Sequence, residues 1–348
     1  MKIRVGILTA PHIEYEQREN TFVLKNVRIG IGFHWDRYED QEFQGTLEVK
    51  PTPNPSQKGG EPWEVAINTI DLEDYLCSVI SSEMSADSPM ELLKAHAVIS
   101  RSWAIRAMQK PNHEDFHVCA DDHCQRYEGL RRMNERAVEA VRATKGQVLM
   151  YGDEICDCRY YKCCGGKTEV WRTCWEDIDV PYIQSVECPY CGRVSDKTLR
   201  LVLNNYDQET TDFHDWKVTY TADELSEIIR TKSGIDFGQI TDLIPLQRGA
   251  SGRICKLKIV GTKRTEIIGK ELKIRLWLSK TCLYSSWFDI SHNPSPVTGN
   301  PSWILTGHGW GHGAGLCQIG AAQMAAEGHT YEEILHFYYP GTKLNGTW

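Results

Sequence analysis

Thirteen cysteines in 348 residues constrain this chain more than any other feature, because they crowd together. One group is His113-x5-Cys119-x4-Cys124, with His117 and His123 alongside. Thiolates and imidazoles this close in a polar stretch suit a tetrahedral zinc ion. A Cys119–Cys124 disulfide with bystander histidines is the alternative, and the three histidines favour metal. The second group is Cys156, Cys158, Cys163, Cys164, Cys174 and the CxxC run Cys188-Pro189-Tyr190-Cys191. A second zinc, a set of disulfides, and buried free thiols acting as small hydrophobes all remain open for it. The compartment matters here. Reduced surroundings leave thiols free for metal, whereas export would pair some and leave at least one over. Met1 to Leu8 carries no apolar stretch of signal-peptide length.

Composition bounds the function class. The chain is 41% hydrophobic and 25% charged, ordinary globular values that exclude disorder, collagen and coiled coil. No apolar run reaches the roughly 18 residues of a membrane-spanning helix. A net charge of -8 argues against a general nucleic-acid binder, which needs a basic face. Eleven tryptophans suit a carbohydrate surface or an aromatic-rich core equally.

The pattern along the chain is α+β. Ile3, Val5 and Ile7 alternate with polar or small residues, the signature of a half-buried strand. Further strands are expected over 22–33, 45–49 and 63–68, with a loop over 51–60. Asp71 can cap a helix whose apolar stripe is Leu72, Leu76, Val79 and Ile80. A second helix starts at Ser88-Pro89-Met90-Glu91, read as a capping box with proline at the first helical position, and runs to about Met108. Asn134 to Lys145 predicts a short helix, and 147–161 two strands about Gly152-Asp153. From 194 to 295 the texture predicts a smaller inserted α+β lobe: a strand at 216–220, a helix from Thr221, a hairpin over 254–268 and a helix at 270–278. A linker over 292–301 leads to Gly307-His308-Gly309-Trp310-Gly311-His312-Gly313 and a helix from about Gln318. The expected divisions are a β-rich segment 1–62, a catalytic core over 63–193 and 296–348, and the inserted lobe.

Four further features carry chemistry. Glu83 falls on the apolar stripe of the first helix, near its C-terminal end. Apolar surroundings and the negative helix terminus both favour the protonated form, as a general acid requires. A solvated loop residue is the equal alternative. Arg101 lies on the second helix among Ala97, Ala104 and Met108. A guanidinium there seeks a carboxylate or an anionic ligand, and a structural salt bridge is the plainer reading. Gly307 to Gly313 lets the backbone approach a ligand closely, with His308 and His312 flanking Trp310. Gly165-Gly166-Lys167-Thr168-Glu169 is a second tight turn. Neither has the spacing of a phosphate loop.

These blocks, in order, resemble the stage II sporulation protein D (SpoIID) family of peptidoglycan lytic transglycosylases and its amidase-enhancer relatives. The matching residues are Asp74-Tyr75-Leu76 through Ser82-Glu83-Met84 and Ala95-His96-Ala97-Val98 through Arg101-Ser102-Trp103-Ala104. Then come Cys124-Gln125-Arg126-Tyr127-Glu128-Gly129, Thr144-Lys145-Gly146, Gly165 through Glu169, Ser251-Gly252-Arg253, Gly307 through Ala321 and Tyr338-Tyr339-Pro340-Gly341. They run from about residue 64 to the end and thin out between 190 and 300. The resemblance implies Glu83 as the catalytic glutamate, with Arg101 binding the muramic lactyl carboxylate or orienting Glu83. It implies a zinc of structural role on His113, Cys119 and Cys124. Tyr127, Gly165, Gly166, Thr168, His308, Trp310, His312 and Gln318 would line a glycan groove, with Trp and Tyr rings stacking on sugars. It also implies peptidoglycan strands and a cell-wall amidase as partners, a cell-envelope substrate, and lyase chemistry ending in 1,6-anhydro sugars. The chain departs from the family in lacking a visible N-terminal anchor, in its cysteine content and in its first sixty residues.

Overall fold

The alternation read at the start of the chain forms a strand, Lys2–Ala10, whose Ile3 and Val5 are fully buried. The computed structural model describes residues 1–31, 36–53, 62–85, 87–121, 123–203, 212–293 and 302–346. Most of the loop expected over 51–60 and of the linker over 292–301 lies outside them. Helices and strands contribute 29% and 34% of the chain in mixed sheets, so the fold is α+β. No helix among the described residues is long and apolar enough to cross a membrane.

The chain divides into two compact units. The first comprises Met1–Cys158, Arg200–Tyr206 and Thr342–Trp348; the second comprises Arg159–Leu199 and Asp207–Gly341. The expected lobe therefore shares its unit with the glycine-and-histidine loop, and the division falls at Cys158 rather than near residue 194.

In the first unit a four-stranded sheet runs in the order Thr46–Thr52, Trp63–Asp71, Lys2–Ala10, Val118–Cys119. Its first three strands pair antiparallel and the last joins in parallel. The strand Trp63–Asp71 runs straight into helix α1 (Leu72–Glu83), because Asp71 turns the chain and accepts the Glu73 N–H at 2.9 Å. This is the cap expected from sequence. Helix α2 (Met90–Gln109) buries an unbroken run from Ala95 to Ile105. Its start differs from expectation. Pro89 occupies the cap position with no side-chain bond, and Ser88 is buried, its hydroxyl donating to Leu201 O at 3.4 Å. Glu91 meanwhile pairs with Lys94. The capping box is thus absent, its serine drawn into packing and its glutamate to a lysine. Helix α3 (Glu135–Ala143) is capped by Asn134, whose side chain accepts the Ala137 N–H at 2.7 Å.

In the second unit two three-stranded sheets share a core that includes Trp216, Leu225, Ile229, Leu257, Phe288 and Trp303. One sheet has Ser302–His308 between Asp215–Thr221 and Phe288–Asn293; the other is Ile240–Arg248, Ile254–Gly261 and Thr265–Ile268. The helix from Thr221 has a complete capping box with Glu224. A short parallel pair, Tyr160–Tyr161 with Leu316–Cys317, leads into the helix Gln318–Ala326.

Candidate active site and metal centre

Glu83 is the last residue of α1 and is half-buried. The Arg126 backbone N–H donates to its Oε1 at 3.1 Å. The same helix face holds the rest of that segment. Ser82 Oγ accepts the Glu128 N–H at 3.3 Å, and Ser78 Oγ donates to Gly129 O at 2.7 Å. Helical spacing puts Ser78 and Ser82 on one side, Glu83 follows at the helix end, and all three spend polar atoms on residues 126–129. Gln125 is tied from two sides, accepting from the Tyr75 hydroxyl at 3.1 Å and donating to Ser100 O at 3.4 Å.

Directly upstream lies the cysteine-histidine loop. His113 Nε2 is 3.4 Å from Cys124 Sγ, and His123 Nδ1 is 3.5 Å from Cys124 Sγ and 3.7 Å from Cys119 Sγ. All four donor atoms lie within 4.8 Å of one another, so His113, Cys119, His123 and Cys124 could hold a metal ion. Two sulfurs and two nitrogens are a donor set that suits zinc. Sequence spacing had placed His123 beside the cluster without making it a ligand; the turn between Cys119 and Cys124 brings it in. His117 goes elsewhere, its Nδ1 accepting the Arg4 N–H at 3.0 Å. The Cys119 thiol is pushed down to about 4, first by its hydrogen bond with Cys124 and then by His123. The loop is anchored on the first strand through His117 N–H to Arg4 O and Ala120 N–H to Gly6 O. A Cβ at Gly6 would meet the Phe116 ring at 2.5 Å, so any other residue there would have to displace that ring. A cleft of about 870 Å³ opens beside the loop, lined by Cys119, His123 and Arg126 and by the aromatic residues Tyr38, Trp63, Phe116 and Tyr127 among others.

Several expected site residues are structural. Arg101 is 1% exposed and makes a bidentate pair with Glu73, Nε–Oε1 at 2.9 Å and Nη2–Oε2 at 2.7 Å. Its other bonds go to Gln147 O and Val141 O. The carboxylate it sought is Glu73 in the first turn of α1, which corrects its reading as a substrate ligand. Tyr127 is 2% exposed, packs on Tyr75 and Phe43, and donates its hydroxyl to Asn68 at 2.7 Å. It lines the cleft beside the loop while almost all of its ring is packed in the core.

The second unit shows the same pattern. Cys163 and Trp310 exchange backbone hydrogen bonds, pinning the Gly165-Gly166 turn to the glycine-and-histidine loop. A Cβ on Gly165 would fall 2.7 Å from Gly309 N, so the contact demands glycine. Trp310 is buried against Phe213 and Tyr284, Thr168 is buried with its hydroxyl donating to Gln184 O, and Gln318 is buried in the first turn of its helix. None of the three presents its side chain as a groove surface. His312 spends both ring nitrogens, with Nε2 donating to Tyr160 O at 3.0 Å and Nδ1 accepting the Ala314 N–H at 3.1 Å. Burial holds it well below the ordinary histidine value, and Arg159 adds to that. With both nitrogens bonded inside the protein, the ring has none left for the substrate contact that the resemblance implied. His308 is the more open of the pair and bonds Asp215 Oδ1 at 2.6 Å, while His214 takes Oδ2 at 2.6 Å. Arg253, fully buried, holds the loop through Gly311 O and Cys164 O.

Residues 63–151 match the family described as stage II sporulation protein. A protein of Brachyspira hyodysenteriae, itself uncharacterised, is 31% identical over 282 residues, covering 80% of this chain and 68% of its own length. The stage II sporulation protein D of Bacillus subtilis is 26% identical over 317 residues, covering 86% of this chain and 81% of its own. This chain belongs to the SpoIID family. The matched SpoIID region contains Glu83 and all four donors of the loop. Residues 169–315, with the glycine-and-histidine loop, match a domain of unknown function, DUF8618. The amidase enhancer of Bacillus subtilis is 28% identical over 301 residues, covering 77% of this SpoIID-family chain and 40% of the enhancer.

Proposed function

We propose that this chain is a peptidoglycan lytic transglycosylase that cleaves the bond between N-acetylmuramic acid and N-acetylglucosamine. The observation that carries the reading is Glu83. It ends helix α1, half-buried, with one oxygen held by the backbone N–H of Arg126, a residue that lines the cleft beside the loop. Ordinary glycosidases flank the bond with two carboxylates. One suffices when the nucleophile is the sugar's own 6-hydroxyl. Glu83 donates its proton to the glycosidic oxygen as the C1–O bond breaks. The carboxylate left behind takes the proton of the 6-hydroxyl as that oxygen bonds to C1. The product is a 1,6-anhydro sugar, no water is consumed, and Glu83 ends protonated as it began. Trp63 and Tyr38 offer flat apolar faces to sugar rings in the cleft.

His113, Cys119, His123 and Cys124 would hold zinc. Four protein donors fill a tetrahedral ion, which is the structural rather than the catalytic pattern. A bound zinc would supply order to the loop. Its last ligand, Cys124, lies two residues before the amide that fixes Glu83, and this chain's own Arg126 then sets the carboxyl.

Incubation of the protein with denuded and peptide-bearing glycan strands should yield anhydro-muramyl ends by mass spectrometry. Glu83→Gln should lower that rate by roughly 10²–10⁴-fold without changing the far-UV spectrum. Undiminished cleavage by the variant would overturn the reading. The similarity to an amidase enhancer favours a second reading, binding without cleavage. It is supported instead if wild-type protein binds glycan, leaves it intact and stimulates an amidase.

A further inference from the structure

A second metal centre is built into the unit that carries the glycine-and-histidine loop. Cys164, Cys188, Cys191 and Cys317 are all buried, and their four sulfurs lie within 4.8 Å of one another. They come from three separate stretches of chain: the turn before Gly165-Gly166, the CxxC run 188–191, and the residue that caps the helix Gln318–Ala326. Four sulfurs at about 2.3 Å from a tetrahedral zinc stand close to 4 Å apart. The cluster has that size. The cysteines of an iron–sulfur cubane would be spread more widely, around several irons.

We propose that Cys164, Cys188, Cys191 and Cys317 bind one zinc ion as a tetrathiolate, a structural site distinct from the cysteine-histidine loop of the first unit.

Two of the four sulfurs have hydrogen-bond donors aimed at them, which suits thiolates. Cys317 Sγ accepts two backbone N–H groups, from Cys164 at 3.2 Å and from Gly320 at 3.3 Å. The second is the cap of the helix, so negative charge on this sulfur meets the positive helix end. Cys188 Sγ has the Tyr338 hydroxyl at 3.2 Å. Cys188-Pro189-Tyr190-Cys191 has the spacing of a zinc knuckle. Binding releases four thiol protons and leaves a net charge of -2 on the complex. The buried Arg253 guanidinium, bonded to Cys164 O at 3.3 Å, is placed to offset it. A single disulfide would use only two of the four sulfurs and leave two buried thiols against it, whereas one ion engages all four. Cys164 and Cys191, the pair at 3.2 Å, belong to different segments, as a cross-linking ion requires.

The ion would join the helix Gln318–Ala326 to the Gly165-Gly166 turn. Cys163, one residue before a ligand, is also the residue that exchanges hydrogen bonds with Trp310. Zinc would therefore hold the glycine-and-histidine loop in place from beneath.

The test needs no activity. Full-length protein, purified under reducing conditions with zinc, should carry two zinc ions per chain by elemental mass spectrometry. Cys119→Ser with Cys124→Ser should leave one, and Cys188→Ser with Cys191→Ser should also leave one. Cys77→Ser should leave two. If the Cys188/Cys191 variant fails to fold, cobalt is loaded into the Cys119/Cys124 variant, which should show the intense visible bands of a tetrahedral tetrathiolate. A zinc count that falls to zero in the Cys119/Cys124 variant overturns the proposal. So does iron in place of zinc, a featureless cobalt spectrum, or a disulfide found among these four cysteines in unreduced peptide maps.

Discussion

Arg101 shows how far residue chemistry can be read without coordinates. A guanidinium among alanines predicts a carboxylate partner, and the structure supplies Glu73 with two charge-assisted bonds. What the pattern could not tell is whether that carboxylate is the protein's or the ligand's, because Glu73 is 28 residues away and on another helix. Arg101→Ala should therefore cost stability and not recognition. Removing one partner of a buried pair costs about 3 kcal/mol, the low end here because Glu73 keeps contact with water. Denaturant unfolding measures the loss, and glycan affinity of the folded variant should stay within twofold. A variant of normal stability that no longer binds glycan would restore Arg101 to the site. His312 was misread for a related reason. Glycines on both sides pointed to a close approach to a ligand, yet the ring lies inside its own unit, with Tyr161 and Trp175 against it. Arg159, Arg253 and Arg275 are the charged groups whose fields reach it. Its folded value is depressed, so the unfolded chain binds the extra proton. The stability it contributes is fully present above the ordinary value of about 6.5 and is lost as pH falls below it. The thermal midpoint of wild type should drop between pH 7 and pH 5 by more than that of His312→Gln, which can keep the bond to Tyr160 O. Equal drops would show that the ring does not titrate with folding.

At the scale of elements, capping separates the legible from the illegible. Asp71, Asn134 and Thr221 each cap the helix that follows with a side-chain hydrogen bond. Ser88 carries the same local signal and does not, because tertiary packing takes it for Leu201 O. A cap is legible only where nothing distant competes for the hydroxyl. Asn134→Ala should lower stability by about 1 kcal/mol, the usual value of a lost cap. Ser88→Ala should change it by less than about 0.5 kcal/mol through helix effects, since no cap is removed. Equal losses in urea unfolding would contradict the observed cap geometry. The candidate site follows the same rule. Glu83 was placed by helical period, which is local. The Arg126 amide that fixes it and the entry of His123 into the metal set both depend on how the 113–129 loop folds back on α1. No periodicity encodes that.

At the scale of the molecule, the chain crosses between its units more often than its texture suggests. It leaves the first unit after Cys158, returns over Arg200–Tyr206, and comes back at Thr342. A shift in composition marks a lobe, but it does not mark a re-entry of a few residues. The last of these returns has a definite structural task. Lys343–Asn345 pairs antiparallel with Val148–Tyr151, register Lys343 to Met150 and Asn345 to Val148, as the edge of a three-stranded sheet. The middle strand lies against α2, where Ser102 Oγ accepts the Leu149 N–H at 2.9 Å. Ending the chain after Gly341 removes that edge and bares the backbone of the middle strand. The truncated protein should show faster amide exchange across Val148–Tyr151, while amides of Ile254–Gly261 in the other unit keep their protection. The Leu149 amide should slow the loss at its own position, because its partner is the Ser102 side chain and not the missing strand. Unchanged exchange throughout Val148–Tyr151 would mean that the first unit closes without its final strand. Loss of protection in both units together would mean that the return strand stabilises the whole molecule rather than the sheet it completes.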